Sequence, residues 1–329
     1  MTASRAGLQM IGVYRPDRIV SNSELAPNLG VDEEWIITRT GITERRFAGD
    51  HETVISMSAA AARKTLEATG TSARDVDVVM LATSTYLSNT PAGAALVAAE
   101  LGCTGAAFDL SAGCSGYAHG IGQAAALINA GQAENILVIG AEKFSTAIDQ
   151  RDRTVAPIFG DGAGAALVGP TETGHIRRTV WGSDGNRAHL IRQEPSWDVL
   201  RDDRTAKSPT LIMEGTEVFR WATTAVPAII ADIAAAGEIA LGDIEVFIPH
   251  QANLRIIDAV ARKLGWQEES VVVADDIRRT GNTSAAALPL AIEDLVSSER
   301  AKPGQLALQV SFGAGLSYAG QVFDLPKVA

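Results

Sequence analysis

An internal repeat restricts the fold of this 329-residue chain more than any other feature of its sequence. The segment Phe159–Val168 reads FGDGAGAALV, and the segment that begins at Phe312 reads FGAGLSYAGQVF. Upstream, Asp75 precedes an apolar strand pattern, as Asp243 does later, at a shift of 168 residues. Two unrelated α/β units can look alike, but ordered self-similarity of this kind favours one supersecondary unit used twice.

The same shift of 168 residues superposes Cys114 on Asn282. Each lies in a short glycine-containing segment, AGCS or TGNT, just ahead of a predicted helix. We therefore predict two halves, residues 1–170 and 171–329, related by a pseudo-twofold axis. Cys114 and Asn282 are then expected at equivalent helix starts that face one central site.

Short apolar runs alternate with alanine-rich segments along the chain. Because continuous Val/Ile/Leu strands separated by helices are typical of sheets covered on both faces, the predicted fold class is α/β. The predicted strands are Val76–Ala82, Ile136–Gly140, Ala163–Val168, Ile244–Ile248 and Leu306–Ser311. The predicted helices are Ile55–Thr69, Pro91–Leu101, Gly116–Ala130, Leu254–Leu264 and Ser284–Ser297. The polar segment Glu194–Pro209 shows neither period and is predicted to be a surface excursion.

Charge and cysteine content exclude several classes of protein. The chain carries 39 acidic and 28 basic residues, a net charge of −11, whereas nucleic-acid binding needs a surplus of Lys and Arg. Two cysteines, Cys103 and Cys114, cannot form a disulfide framework, and no CxxC or Cys/His cluster predicts a metal site. Rare thiols, and the lack of an uninterrupted apolar run of about 18 residues, predict a cytoplasmic protein that does not enter the membrane.

Cys114 lies between a predicted strand end near Leu110 and a helix start near Gly116. Flanking glycines permit a tight turn, and a helix start presents free N–H groups with partial positive charge. We expect this setting to lower the pKa of the thiol and raise its thiolate fraction. A small core hydrophobe is the ordinary role of a buried cysteine. That role is expected for Cys103 and stays open for Cys114.

His250 and Asn282 are the other candidate catalytic residues. His250 follows the predicted strand Ile244–Ile248, and catalytic groups of α/β proteins gather at the carboxyl ends of strands. Asn282 is also an ordinary N-cap candidate, so its alignment with Cys114 is the argument for a catalytic role. A thiol, an imidazole and an amide that converge suit thioester chemistry. A cysteine protease uses the same residue types, but nothing in the sequence suggests a peptide cleft.

Seven ordered motifs extend over nearly the whole chain, and together they resemble the β-ketoacyl-acyl carrier protein synthase III family of thiolase-superfamily condensing enzymes. The motifs are Trp35–Arg46 (WIITRTGITERR), the Cys114 turn, Phe159–Gly164, Met213–Phe219 (MEGTEVF), His250–Arg255 (HQANLR), Gly281–Ala286 (GNTSAA) and Phe312–Leu316. The resemblance implies a thiolase-like duplicated α/β fold in five layers, α-β-α-β-α. The nucleophilic cysteine then belongs to the first half, and the histidine and asparagine to the second.

The resemblance also implies a decarboxylative Claisen condensation of an acyl-coenzyme A (acyl-CoA) primer with malonyl-acyl carrier protein, in fatty-acid initiation or polyketide priming. Cys114 is expected to take the acyl group, and His250 and Asn282 to hydrogen-bond the malonyl thioester oxygen. Backbone N–H groups of Cys114 and Ala314 are expected to hold the acyl-enzyme oxygen. Phe312 is expected beside the thiol, where it favours departure of carbon dioxide. No cofactor and no metal is expected, because acyl-CoA is a substrate.

Binding surfaces follow from the same resemblance. The positions that match CoA-binding residues are Trp35, Arg39, Arg153, Gly215, Asn253 and Arg255. Thr90 stands where the family often has a bulky aromatic that closes the acyl pocket from the neighbouring subunit. We therefore expect a homodimer with a wider pocket, which accepts primers longer or more branched than acetyl. A local basic patch is expected to dock the acidic carrier protein. It comprises Arg255, Arg262 and Lys263, with Arg278 and Arg279 from another segment.

Two other functions stay open. The first is an acyltransferase of the same fold, which moves an acyl group from CoA to a hydroxyl, amine or carrier-protein acceptor without condensation. Such enzymes often replace the asparagine with aspartate, so Asn282 favours condensation. The second is a non-catalytic scaffold, against which the retention of Cys114, His250 and Asn282 argues. A thiolase needs a second cysteine near the C-terminus, and this chain has none after Cys114.

Overall fold

Strands and helices alternate through the part of the chain that the structure, a computed structural model, describes: residues 5–266 and 270–329. The strands are β1 (Arg5–Tyr14), β2 (Ile19–Ser21), β3 (Glu44–Arg46), β4 (Val78–Ala82), β5 (Ala106–Leu110), β6 (Ile136–Lys143), β7 (Asp161–Thr171), β8 (Val180–Ser183), β9 (Ile191–Glu194), β10 (Thr210–Met213), β11 (Val246–Pro249), β12 (Val272–Val273), β13 (Leu306–Gly313), β14 (Ser317–Asp324) and β15 (Lys327–Val328). The helices are α1 (Asn22–Leu29), α2 (Glu33–Thr40), α3 (Val54–Thr69), α4 (Gly93–Leu101), α5 (Gly116–Asn129), α6 (Trp197–Asp202), α7 (Gly215–Ala236), α8 (Leu254–Lys263), α9 (Ile277–Thr280) and α10 (Ala287–Ser297).

Two large sheets repeat one strand order. The first sheet runs β15-β1-β7-β6-β4-β5, and the second, read from its edge strand β8, runs β8-β14-β13-β11-β12. Apart from β15, each strand of the first sheet has a counterpart at the same place in the second. The directions agree as well, because β4–β6 and β11–β13 are parallel while β6–β7 and β13–β14 are antiparallel. The duplicated fold that the sequence repeat predicts is confirmed.

Helices cover both faces of each sheet. Helices α5 and α10 lie between the two sheets, where Ile121 and Leu288 share one core with Val138 of β6 and Val246 of β11. Helices α3 and α4 pack on the outer face of the first sheet, and α7 and α8 on the outer face of the second. Burial of each such large apolar side chain stabilises the fold by about 1.5–3 kcal/mol, so the shared core fixes α5 against α10. The five layers are α-β-α-β-α, as predicted.

The predicted strands and helices are confirmed to within three residues at either end. The prediction for Glu194–Pro209 was incomplete. Strands β9 and β10 pair on either side of this segment, and α6 forms within it. Helix α6 buries none of its residues, which explains why the segment lacks a helical period of apolar residues.

The chain enters α5 and α10 through the same local backbone conformation. A 3-10 turn precedes each helix, Gly113–Ser115 before α5 and Ser284–Ala286 before α10. Each turn begins with a residue of positive φ, +52° at Gly113 and +49° at Ser284. This geometry pairs Gly113 with Ser284. The prediction that Cys114 and Asn282 are equivalent was therefore wrong, because Asn282 lies two residues ahead of its turn.

The proposed halves meet without an abrupt boundary. Strand β7 ends at Thr171, one residue beyond the predicted division between 170 and 171. The C-terminal strand β15 returns to the first sheet, where it pairs with β1. The division into residues 1–170 and 171–329 stays a prediction.

Helix α7 alone, within the described residues, is long and apolar enough to span a membrane by length and composition. Its buried side chains, among them Val226, Ile230 and Ile233, belong to the core on the outer face of the second sheet. A buried face of this kind is typical of the core helix of a globular protein.

Candidate active site

One cavity of about 590 Å³ joins the two halves of the molecule. Cys114 reaches it from the turn that follows β5, His250 from the end of β11, and Phe312 from β13. Asn282 reaches it from the segment ahead of α10. Because the carboxyl ends of parallel strands meet at the same edge of a sheet, strand geometry brings the thiol and the imidazole together.

The Cys114 thiol is a neutral group at neutral pH. Although the residue borders the cavity and is only half-buried, desolvation raises the pKa of the thiol to about 11, and the Glu142 carboxyl raises it further. The Ser284 hydroxyl and the backbone N–H groups of Cys114 and Ala314 lower the pKa without offsetting the burial. The predicted lowering of the thiol pKa was therefore wrong, because burial outweighs the helix start.

Close backbone packing sets the two N–H groups around this sulfur. A Cβ at Gly313 would lie 2.8 Å from both the Cβ and the backbone nitrogen of Cys114, so only glycine fits there. This approach brings Ala314 beside the cysteine from β13. The two backbone N–H groups that lower the thiol pKa belong to Cys114 and Ala314, the pair predicted to hold the oxygen of the acyl-enzyme.

His250 is a neutral imidazole. Its residue is 2% exposed, and burial lowers the pKa of the ring to about 3. Nδ1 is buried without a hydrogen-bond partner, so a proton there would be unsatisfied and the Nε2–H tautomer is favoured. The cavity therefore receives a hydrogen-bond donor from Nε2 rather than a charge.

The side-chain oxygen of Asn282 already has a hydrogen-bond partner within the protein. Its Oδ1 accepts a hydrogen bond from the backbone N–H of Ser284 at 2.8 Å. Its backbone N–H donates to the carbonyl of Ile158 at 2.8 Å, and its carbonyl accepts from Gly160 at 3.1 Å. With the oxygen fixed in this way, the NH₂ group is the part of the amide left to bind a ligand in the cavity.

Phe312 packs against the catalytic candidates. Its ring meets the His250 ring edge-on, with centroids 5.3 Å apart, and lies 5.6 Å from the Trp221 ring. The side chain is 3% exposed and also lines the cavity beside Cys114. An apolar wall at this point limits the hydration of any group held between the thiol and the imidazole.

All six positions that match CoA-binding residues line the cavity: Trp35, Arg39, Arg153, Gly215, Asn253 and Arg255. The Arg39 guanidinium lies over the Trp35 ring at 4.6 Å, and the Arg255 guanidinium over the Phe219 ring at 5.5 Å. Asn253 ties these elements together, because its Nδ2 donates to the carbonyl of Arg39 and its Oδ1 accepts from the N–H of Arg255. Together with Arg153 and Arg192, four arginines thus border the cavity.

Several predicted residues lie away from this cavity. Thr90 is exposed in the loop between β4 and α4. Arg262 is exposed on α8, and Lys263 donates to the carbonyl of Thr223 at 2.8 Å. Arg278 pairs with Asp275 at 2.8 Å, and Arg279 with Asp294. These two arginines have carboxylate partners within the protein, and carrier-protein docking through Arg255, Arg262 and Lys263 stays a prediction.

Sequence reasoning missed Glu142 and Ser284, both buried beside Cys114. Glu142 ends the apolar run ILVIGAE, so an acid at the end of a buried strand was the signal, the same one that identified His250. Ser284 is 1% exposed and lines the cavity. Its φ of +49° is unfavourable for a residue with a side chain, at a cost of about 1–2 kcal/mol.

A duplicated five-layer fold with a cysteine, a histidine and an asparagine on one cavity defines a thiolase-like enzyme. Comparison with known proteins agrees. Residues 108–185 match the family model for 3-oxoacyl-[acyl-carrier-protein] synthase III, and residues 234–325 match the model for its C-terminal part. The chain therefore belongs to the β-ketoacyl-acyl carrier protein synthase III family, as the relatives below also show.

The similar proteins match the chain over almost its whole length. The β-ketoacyl-acyl carrier protein synthase III of Mycobacteroides abscessus is 46% identical over 99% of this chain and 96% of its own length. The mycobacterial enzyme of the same name from Mycobacterium marinum is 46% identical over 98% of this chain and 97% of its own. The priming β-ketosynthase of the R1128 polyketide pathway is 41% identical, with a TM-score of 0.95, and the match covers 99% of this chain and 98% of that one.

Proposed function

We propose that this protein condenses an acyl-CoA primer with malonyl-acyl carrier protein through an acyl-Cys114 thioester, giving a β-ketoacyl-acyl carrier protein. The observation that carries the proposal is the convergence of Cys114, His250 and Asn282 on one cavity bordered by guanidinium groups. Family membership makes the protein a condensing enzyme of the transferase class. The names of its relatives, which include a priming ketosynthase, support carrier-protein chemistry.

In the first step, the Cys114 sulfur attacks the thioester carbonyl of acyl-CoA. The new carbon–sulfur bond forms as the bond to the CoA sulfur breaks, and CoA leaves as its thiol. Negative charge develops on the carbonyl oxygen, where the N–H groups of Cys114 and Ala314 stabilise it. Arg39, Arg153 and Arg255 suit the phosphates of CoA because guanidinium binds phosphate in a bidentate manner.

In the second step, malonyl-acyl carrier protein occupies the site that CoA has left. Its carbon–carbon bond to the carboxylate breaks, carbon dioxide departs, and the electron pair forms an enolate. The Nε2–H of His250 and the NH₂ of Asn282 donate to the enolate oxygen. The carbanion then attacks the acyl carbonyl and releases the Cys114 thiolate. A neutral imidazole suits this role, since burial keeps the pKa of His250 at about 3.

The pocket is proposed to open onto a second subunit. Strand β5 is an edge strand, its Phe108 is 36% exposed, and Leu96 is exposed on α4, which packs against β5. Leu87, in the loop between β4 and α4, is exposed as well. Exposed apolar side chains of this size favour a protein interface. In such a homodimer, Thr90 of the partner subunit borders the acyl chain.

The two free cysteines support a reducing compartment and hence a cytoplasmic location.

The overall reaction is tested by incubating the purified protein with acyl-CoA and malonyl-acyl carrier protein and analysing both proteins by mass spectrometry. The proposal predicts an acyl-enzyme and a β-ketoacyl carrier protein. An acyl-enzyme without a condensed product would instead support the acyltransferase, and neither product would support a scaffold.

Primer preference is tested in the same assay. Because Thr90 is small, kcat/KM is expected to be higher for hexanoyl-CoA or a branched acyl-CoA than for acetyl-CoA. The expected difference is about tenfold or more, because each methylene buried in an apolar pocket contributes about 1–3 kcal/mol. A strong preference for acetyl-CoA would contradict the wider pocket.

A further inference from the structure

Glu142 is a fully buried carboxyl close to Cys114 but outside the lining of the cavity, and one of its oxygens is unpaired. Its Oε2 accepts hydrogen bonds from the Thr85 hydroxyl at 2.7 Å, the Ser84 backbone N–H at 3.0 Å and the Thr83 hydroxyl at 3.3 Å. Its Oε1 is buried and has no hydrogen-bond partner. A buried polar atom without a partner is costly, so this one calls for an explanation.

A second unpaired atom lies beside the first. The Ser284 Oγ is buried and forms no hydrogen bond of acceptable geometry, yet the hydroxyl is close enough to lower the pKa of both Glu142 and Cys114. The 3-10 turn that begins at Ser284 packs against both β6, which carries Glu142, and the turn that carries Cys114, which places the hydroxyl between the carboxyl and the thiol. Gly140 makes this placement possible, because a Cβ there would clash with the carbonyl oxygen of Ala285 in the same 3-10 turn.

The other charged groups near Glu142 have partners of their own. Next along β6, Lys143 donates to the carbonyls of Gly49 and Glu52. Asp161, on the neighbouring β7, accepts from Ser145 and Ala48. Gly162, directly opposite Glu142 on β7, carries no charge. His250 also borders the cavity and is neutral. Among the described residues, Cys114 is the titratable group on which Glu142 acts across the turn, because the carboxyl raises the pKa of the thiol.

We propose that Glu142 is the proton acceptor for the Cys114 thiol, reached through the Ser284 hydroxyl, when the sulfur attacks the primer. The inference rests on the proposed function, because it assigns the proton of the acylation step. Glu142 does not touch the substrate, so it acts through Ser284 as a positioning residue.

Electrostatics favours this route over direct ionisation. A thiolate formed beside an ionised Glu142 would place two negative charges in one buried pocket. Transfer of the thiol proton to the carboxylate keeps a single charge and moves it to the sulfur. Burial raises the pKa of Glu142 to about 7, so the carboxyl can accept and release a proton near neutral pH.

The step balances. The thiol proton passes to the Ser284 oxygen as the Ser284 proton passes to Oε1 of Glu142, which leaves a thiolate and a neutral carboxyl. The thiolate forms its bond to the acyl carbonyl, and the carbonyl releases CoA as a thiolate. The CoA thiolate takes up the proton that Glu142 gives back, so that atoms and charge are conserved.

The test is the pH dependence of Cys114 alkylation by iodoacetamide, measured by mass spectrometry of the peptide that contains residue 114. In the wild type, the rate is expected to rise with pH through an ionisation near 7. E142Q keeps an oxygen acceptor for the 83–85 loop but cannot take a proton. It should lose this ionisation and react about 10²-fold more slowly at pH 8. S284G removes the hydroxyl at a position where glycine is unstrained. Its alkylation profile should resemble that of E142Q.

The double variant E142Q/S284G should react no more slowly than either single variant, because both interrupt one route. E52Q is the matched control, since Glu52 is a buried glutamate with hydrogen bonds of its own outside the cavity. It should retain the wild-type profile. An E142Q profile like that of the wild type, or faster alkylation in E142Q, would overturn the proposal.

Alkylation needs neither CoA nor carrier protein, so the two proposals can fail separately. A lost ionisation in E142Q, together with no condensed product in the wild type, would support Glu142 and contradict the proposed function. Normal condensation by the wild type, together with an E142Q alkylation profile like that of the wild type, would support the proposed function and contradict the role of Glu142.

Discussion

The starts of α5 and α10 are built alike but serve different chemistry. Each follows a 3-10 turn that opens on a residue of positive φ, and the two turns face each other across the centre of the molecule. In the first half that residue is Gly113, and the next one carries the thiol. In the second half it is Ser284, which accepts backbone strain and places a hydroxyl where the first half has no side chain. The two helix starts therefore share one backbone geometry but carry different reactive groups.

In the proposed mechanism, the first half supplies the nucleophile Cys114, and the second half supplies the enolate donors His250 and Asn282 as well as the Ser284 hydroxyl. Substitution of Cys114 and substitution of Asn282 should therefore affect different steps of the reaction, and the predictions below are arranged by the size of the expected effect.

The largest loss is expected for C114A. Without the sulfur no acyl-enzyme forms, and condensation should fall by about 10⁴-fold or more, as when other enzymes lose their nucleophile. Intact-mass spectrometry after incubation with acyl-CoA measures the acylation directly. The control C103A changes the other cysteine, which is buried in the core of the first half, and should still be acylated. Acylation of C114A would show that Cys114 is not the nucleophile.

A smaller and step-specific loss is expected for N282A. Removal of one hydrogen-bond donor to the enolate oxygen should lower the condensation rate by about 10²–10³-fold. The acylation half-reaction, measured in the same preparation, serves as the internal control and should change much less. Equal losses in both steps would mean that Asn282 supports the Cys114 turn instead of the enolate.

The burial of His250 predicts a pH-dependent stability. Its pKa in the folded protein, about 3, lies below the ordinary value of 6.5, so the unfolded chain binds the proton first as the pH falls. Above pH 6.5 the ring is neutral in both the folded and the unfolded state, so its burial does not lower the free energy of unfolding. Below pH 6.5 the free energy of unfolding falls by up to about 1.4 kcal/mol per pH unit.

Urea unfolding at pH 7, 6 and 5 measures this contribution. The free energy of unfolding should fall more steeply in the wild type than in H250Q, whereas H51Q, which changes an exposed histidine, should follow the wild type. Parallel curves for the wild type and H250Q would show that His250 is protonated in the folded protein.

The smallest effect is expected for R262E on the exposed face of α8. Arg255 borders the cavity as well, so Arg262 separates carrier docking from CoA binding more cleanly. Reversal of one peripheral charge should raise KM for malonyl-acyl carrier protein by about three- to tenfold and leave KM for acyl-CoA unchanged. R201E, on the exposed helix α6, is the control. Equal changes in both KM values would contradict a docking role.

Much of the fold could be predicted, because buried strands such as Val78–Ala82 and amphipathic helices such as Val54–Thr69 leave strong periodic signals. The shared cavity could be predicted as well, because His250 ends a strand and Cys114 precedes a helix. The raised pKa of the thiol could not, since burial depends on packing between halves that are distant in sequence. The same distance concealed Glu142 and Ser284, whose unpaired atoms meet only after folding.

The division of labour between the halves is tested most directly by following the peptide that contains residue 114 through a single turnover. Wild type and N282A are first loaded with acyl-CoA and then mixed with malonyl-acyl carrier protein. Both should carry the acyl group on Cys114, and only the wild type should lose it rapidly to a β-ketoacyl product. Failure of N282A to become acylated, or equal consumption of the acyl group in both proteins, would contradict the account.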